Sequence, residues 1–287
     1  MLVCINSKCF HSNKVNGFKI INNTPVLISN HYCDTAFVEQ NYNSPVVREK
    51  SNNLGKVIKK LFHGKQSHTY KNSKKLLELV NKDSKLLIIG GGVRGVGTEK
   101  LYSSDKISII SSDVYLTDEI DLLMDAHYIP FKNETFDAVW IQAVLEHVID
   151  PNKVVSEIYR VLKKDGIVYA ETPFMQQVHE GAYDITRFTV LEHRYLFRNF
   201  ETLSIGGVKG VGTVLTWSVY YFFWSILRSK KIAKIISLPI GFFLNFIQVF
   251  ADKKSLFDAG SGSFFLGKKS SNTIKHKDLI KIYKGMQ

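Results

Sequence analysis

The chemistry this chain could do begins at residues 86–95, Leu-Leu-Ile-Ile-Gly-Gly-Gly-Val-Arg-Gly. Gly90, Gly92 and Gly95 fall at the spacing G-x-G-x-x-G directly after a short apolar run. Such a run has the length of a buried strand, and the glycines let the following backbone turn tightly and approach a ligand closely. Asp113 closes the next apolar run, 107–112. A carboxylate there can accept hydrogen bonds from ribose hydroxyls. Together these residues imply a nucleoside-bearing cofactor. The glycine spacing by itself fits a nicotinamide dinucleotide equally well.

Residues 121–150 separate the cofactors. They hold Asp125-Ala126, Ile129-Pro130-Phe131, Phe136-Asp137-Ala138-Val139 and Leu145-Glu146-His147-Val148. Glu157-Ile158-Tyr159-Arg160-Val161-Leu162-Lys163-Lys164-Asp165-Gly166 follows. In this order and spacing the motifs resemble class I S-adenosylmethionine-dependent methyltransferases, over about residues 85–268. The resemblance implies an α/β, Rossmann-like sheet of seven strands whose last strand runs antiparallel, and S-adenosylmethionine as the cofactor. It assigns Gly90, Gly92, Gly95, Asp113, Asp125, Ala126 and Gln142 to cofactor binding, with Asp113 at the ribose and Asp125-Ala126 near the adenine amino group. Asp137 would shape its strand, and Glu146 and His147 would fix a loop. Ile88 departs from the pattern, because the family often carries an acidic residue two positions before the first glycine. Arg94, inside the loop, could meet the cofactor's carboxylate or point to solvent. The alternatives are a methyltransferase-like scaffold or membrane-associated binding protein without turnover, and a nicotinamide oxidoreductase.

The acceptor side is expected after the strand at 167–170. Residues 171–189 concentrate His179, Tyr183, Asp184 and Arg187 in a segment that would overhang the cofactor's methyl group. Loops carry function when a rigid sheet positions them. This segment resembles a subgroup of methyltransferases found near bacterial surface-polysaccharide genes, which implies a small-molecule or glycan acceptor. A hydroxyl acceptor needs a base as its oxygen attacks, and His179 is the candidate, with an ordinary pKa of about 6.5. Arg187 could orient an anionic acceptor through its planar fork. Alternatively, Asp184 and Arg187 form a structural ion pair. His179, Arg187 and Asp184 are thus the predicted catalytic set.

Several elements must position these residues. Strands are expected at 86–89, 107–112, 136–141, 167–170, 201–208 and 263–268, with a helix at 74–81 ahead of the first. At 287 residues and 45% hydrophobic, the chain can bury a large core with additions. The predicted organisation is a small β-rich extension (1–47), a basic linker (48–75), a methyltransferase domain (76–270) and a basic tail (271–287). Cys4, Cys9 and Cys33, with His11, lack the second close pair that structural zinc favours, so no metal is expected. Three cysteines form no disulfide framework, and the first residues carry no signal-peptide pattern. Both point to the cytoplasm.

The net charge of +12 is concentrated. Residues 48–75 hold nine Lys/Arg against Glu49, and residues 268–287 hold six lysines against Asp278. No aromatic-interleaved nucleic-acid module accompanies them, which argues against nucleic acid as the partner. Within an insertion at 209–258, two apolar runs, 214–227 and 235–250, are joined by Arg228, Lys230, Lys231 and Lys234. As helices they would measure about 21 and 24 Å, short of a hydrocarbon core of about 30 Å. They read as a hairpin that either covers the active site or makes peripheral contact with a membrane face.

Overall fold

The computed structural model describes residues 17–28, 42 and 67–287. The three cysteines, His11 and the basic residues between 48 and 66 lie outside them. Two short strands open the described chain, β1 (Ile20–Ile21) and β2 (Thr24–Pro25). Asn22 and Asn23 join them, both at positive φ (47° and 64°). That is the two-residue turn whose twist matches an antiparallel pair.

Helix α1 (Ser67–Leu79) then leads into β3 (Ser84–Ile89). The helix starts well before the expected residue 74, inside what the sequence marked as linker. Next come α2 (Glu99–Tyr102), β4 (Ile107–Asp113), β5 (Leu122–Leu123) and β6 (Phe136–Gln142). The chain continues through α3 (Pro151–Val161), β7 (Leu162–Pro173), α4 (Val190–Leu196) and β8 (Phe200–Val208). The insertion supplies α5 (Val211–Leu227) and α6 (Lys230–Ile247), and a short α7 (Ser255–Ala259) precedes β9 (Gly262–Lys269). Helix α8 (His276–Leu279) follows.

Seven strands form one sheet in the order β5-β4-β3-β6-β7-β9-β8. The pairs among β5, β4, β3, β6 and β7 are parallel, and β9 runs antiparallel to both of its neighbours. This is the predicted sheet, with the predicted helical insertion between the sixth and seventh strands. β3 is an interior strand, paired with β4 and β6, and only its Lys85 is exposed, the pattern of a strand covered on both faces. Leu87 and Ile89 point into one core with Val139, Ile141, Val154 and Ile158. Leu86 and Ile88 point into the other with Leu76, Leu101 and Trp140.

β7 is longer than the expected strand at 167–170. Its first residue, Leu162, pairs with Phe136, and pairing then jumps to Ile167 with Ala138. The intervening turn uses Asp165 at φ 65°. At the opposite edge, Val26 bridges Leu123 in parallel and packs with Ile28 and Ile120, so the N-terminal hairpin shields the short edge strand β5.

The chain winds outward from β3 through β4 to β5, then returns to start again at β6. Such a reversal leaves a crevice at the carboxyl ends of the two central strands. Ile89, Asp113, Gln142 and Glu171 all stand at that edge.

Candidate active site

The glycine loop is held against β4 by its own backbone. The N–H groups of Gly90 and Gly91 both donate to the Ser112 carbonyl at 2.9 Å. Gly90 has φ 77°, and a Cβ there would overlap Val144. Gly92 N–H donates to Asp113 Oδ2 at 2.9 Å, and an alanine Cβ at Gly92 would come within 2.6 Å of that oxygen. Asp113 Oδ1 accepts from Val114 N–H at 2.7 Å. Glycine loop and acidic strand end are therefore one fixed unit, as a ribose site requires.

Asp113 lines a crevice with Gly90, Tyr115, Met124, Asp125 and Ala126. Asp125 is buried, and its Oδ1 accepts from His127 N–H at 2.9 Å and from His127 Nδ1 at 2.7 Å. His127 Nε2 accepts from Asp150 N–H at 3.2 Å, which assigns the ring proton to Nδ1. The crevice continues along Gly95, Gln142 and Trp140. Gln142 is engaged elsewhere: its Nε2 donates to Glu171 Oε2 at 3.2 Å, and its Oε1 faces Gly95. Arg94 pairs with Glu119 at 2.7 Å and lies over the Tyr102 ring. The residues present thus fit a nucleoside: backbone cradled by missing side chains, a carboxylate at the strand end, and an apolar floor.

Beyond Gln142 and Ala143 a second chamber opens, lined by Glu146, Glu171, Gln176, His179, Lys209 and Ser261. Glu171 Oε2 gathers Tyr169 OH at 2.9 Å, Thr69 Oγ1 at 3.0 Å and His68 Nε2 at 3.4 Å. Burial pushes the Glu171 carboxyl up, but the bonds from His68, Tyr169 and Thr69 outweigh it and hold it below the usual range. Glu146 is the opposite case. It is fully buried, neither of its carboxyl oxygens has a hydrogen-bond partner, and burial lifts its pKa to about 8. Glu146 does hold the loop as expected, but through its carbonyl, which accepts from Ile185 and Thr186 N–H at 2.9 and 3.1 Å.

His179 Nε2 lies 3.7 Å from Glu146 Oε1, and its Nδ1 lies 3.1 Å from Asp184 Oδ2. Burial lowers its pKa below the ordinary imidazole value against the opposing pull of Asp184. Asp184 also accepts from His179 N–H at 2.8 Å and pairs with the Arg187 guanidinium. Arg187 is spent on the loop itself, donating to the carbonyls of Gln176 (3.1 Å), Gln177 (3.4 Å) and Thr186 (2.9 Å). Of the three predicted catalytic residues, only His179 borders the chamber. The ion-pair alternative describes Asp184 and Arg187, because each has its polar atoms committed within the loop.

His147 Nδ1 donates to the Tyr183 carbonyl at 2.8 Å, and its Nε2 stands 3.8 Å from Glu146 Oε1. Donor atoms of Glu146, His147 and His179 lie within 4.8 Å of one another, a set that could hold a cation where none was expected. Glu171, His68, Thr69 and Lys209 were missed as site residues. Glu171 alone left a signal, as the first polar residue after the apolar run of its strand. Lys209 sits at the β8 end with φ 36°, its ammonium 5.2 Å from the Trp217 ring, and burial lowers its pKa.

Residues 109–170 match a family described as "Methyltransferase domain". A demethylmenaquinone methyltransferase of Clavibacter sepedonicus is 35% identical over 97 residues, covering 33% of this chain and 34% of that protein. A ubiquinone/menaquinone biosynthesis C-methyltransferase of Saccharophagus degradans is 28% identical, covering 42% of this chain and 46% of that one. The chain thus spans less than half the length of these curated relatives. Among solved structures, Haemonchus contortus phosphoethanolamine N-methyltransferase 2, in complex with S-adenosyl-L-methionine, aligns with TM-score 0.46 and 16% identity. That alignment covers 77% of this chain and 58% of the other. The family match runs along β4 to β7 of the sheet, so the chain is similar to that methyltransferase family over the stretch that carries Asp113, Asp125 and Gln142.

Proposed function

We propose that the chain transfers a methyl group from S-adenosylmethionine to a small-molecule acceptor seated in the chamber behind Gln142. The observation that carries this reading is continuity: Gln142, Ala143 and His179 line both the glycine-loop crevice and the chamber. A cofactor and an acceptor held in the two would meet there. Relatives named for menaquinone and ubiquinone biosynthesis support a small-molecule acceptor.

The sulfonium of the bound cofactor makes its methyl electrophilic, which leaves binding, alignment and exclusion of water to the protein. Gly90, Gly92 and Gly95 give the backbone close approach, Asp113 holds the ribose, and Asp125 and Ala126 border the base. His179, kept neutral by burial, takes the acceptor proton on Nε2. Asp184 fixes the ring by its contact with Nδ1 and the backbone bond, and Arg187 fixes Asp184.

The test is calorimetric titration with S-adenosylhomocysteine, on the wild type and on Asp113→Ala. Micromolar binding that collapses in the variant supports the reading. A folded wild type that does not bind it overturns the reading in favour of a scaffold, and binding of a nicotinamide dinucleotide instead would make the chain an oxidoreductase.

A further inference from the structure

The α5–α6 hairpin is packed inside out. On α6 and the 3-10 turn that continues it (Gln248–Phe250), Ile232, Ile235, Phe242, Phe246 and Val249 recur at helical spacing, and all are at least half exposed. On α5, Phe222 and Ile226 are each 60% exposed. The seam between the helices is made of small residues instead. Ala233, Ser237 and Gly241 are the buried residues of α6, and Gly212, Thr213 and Thr216 are buried on α5 beside Trp217. A Cβ added at Gly241 would come 2.5 Å from Thr216 Cγ2, and one at Gly212 would come 2.6 Å from the Leu244 carbonyl. Thr213 Oγ1 donates to Asn245 Oδ1 across the seam at 2.8 Å.

A helix pair surrounded by water puts its large apolar residues on the seam and its polar ones outside. Small residues and cross-helix hydrogen bonds on the seam, with Phe and Ile outside, are the packing of helices surrounded by hydrocarbon. Charge points the same way. No Asp or Glu occurs between Glu201 and Asp252, while Lys209, Arg228, Lys230, Lys231 and Lys234 do. Lys230 lies over the Trp224 ring at 4.7 Å, beside Tyr220 and Tyr221. Lysines and amphipathic aromatics suit the headgroup level of an anionic membrane.

We propose that this hairpin docks the protein on an anionic lipid bilayer, with its outward stripe in the headgroup–acyl boundary of one leaflet. By length and composition Lys230–Phe250 could cross a membrane, but it packs against α5, and α5 is tied to the catalytic domain. Tyr221 OH donates to the Val178 carbonyl at 3.1 Å, and Gln177 Nε2 donates to Ser218 Oγ at 3.0 Å. Helix α5 is therefore held against the catalytic domain as far as Tyr221. The six residues from there to Leu227 add about 9 Å, against a hydrocarbon core of about 30 Å. The same two bonds tie the docked helix to the loop that carries His179.

Flotation of the full chain with phosphatidylcholine vesicles, and with vesicles containing phosphatidylglycerol, tests the proposal without the cofactor or turnover. The wild type is expected to float with the anionic vesicles. Phe242→Ser combined with Phe246→Ser should weaken binding by about tenfold or more. Replacing Lys230, Lys231 and Lys234 with glutamine should weaken it by about fivefold per lysine and erase the preference for phosphatidylglycerol. Both sets are exposed, so circular dichroism and S-adenosylhomocysteine affinity should match the wild type. Wild-type protein that stays at the bottom of the gradient overturns the proposal. If it then sediments as a dimer that the Phe variant dissociates, a second copy covers the face instead.

Discussion

Glu146 Oε1 stands 3.7 Å from His179 Nε2, and the carboxyl that approaches the imidazole has no hydrogen-bond partner of its own. A fully buried carboxyl without donors favours its protonated form, and burial accordingly lifts its pKa to about 8. Folding therefore takes up a proton wherever the unfolded group, at 4.5, has lost it. The stabilisation is complete below 4.5 and disappears as pH rises through about 8. It amounts to something on the order of 4 kcal/mol for the neutral over the charged form. Glu146→Gln, which keeps the shape without the charge, should flatten the decline of the melting temperature over that window. An unchanged slope in the variant would show that Glu146 is not the titrating group.

His179 should act as base, not as a cofactor ligand. Removing a positioned base costs roughly 10²- to 10⁴-fold in rate. His179→Ala should lose kcat on that scale and keep its affinity for S-adenosylhomocysteine. Because burial lowers the imidazole pKa, the acid limb of kcat/KM in the wild type should fall below the ordinary 6.5. Asp184→Asn removes the group that raises that pKa, and should move the limb further down. A limb that stays in place in Asp184→Asn would separate His179 from the pH dependence.

Arg187 acts through the loop. Its planar fork meets Asp184 on one side and three backbone carbonyls, of Gln176, Gln177 and Thr186, on the others. A lysine keeps the charge but cannot reproduce that fork. Arg187→Lys should lower kcat and speed amide exchange across residues 176–187, while cofactor affinity holds. Loss of acceptor affinity alone, with an unchanged loop, would mean that Arg187 touches the acceptor.

The sequence exposes some of this site and hides the rest for a physical reason. Gly90 and Gly92 are legible because the backbone there tolerates no Cβ, and Asp113 because it ends the next strand. These constraints act over short stretches of chain. Glu171 is legible only in part. Its partner Thr69 lies 102 residues away, on a helix whose start fell in the assigned linker. Of its other partners, His68 comes from that same helix, Gln142 from β6 and Tyr169 from Glu171's own strand. Lys209 likewise reaches the chamber only because β8 ends beside β9. The seven-stranded sheet with its antiparallel last strand came from motif resemblance, which is why the sheet was anticipated and the side-chain network at its edge was not. Asp184 and Arg187 show the converse. Their types suggest chemistry, but a three-residue spacing also suits a local clamp, and only the surrounding carbonyls decide between the two.

Buried His193 should set the acid sensitivity of the fold. It sits between Phe188 and Phe197 with both ring nitrogens unpartnered, and burial pulls its pKa down to about 3. The unfolded imidazole, at 6.5, binds its proton well before the folded one does. Stability is therefore full above 6.5 and drains away as pH falls toward 3, by something on the order of 4 kcal/mol. His193→Leu removes both the titration and two buried polar atoms that lack partners, each worth about 1–3 kcal/mol if fully desolvated. The variant should melt no lower than the wild type at neutral pH. It should also lose less on acidification, which thermal scans at a series of pH values would show. A parallel loss in both proteins would place the acid sensitivity in another group.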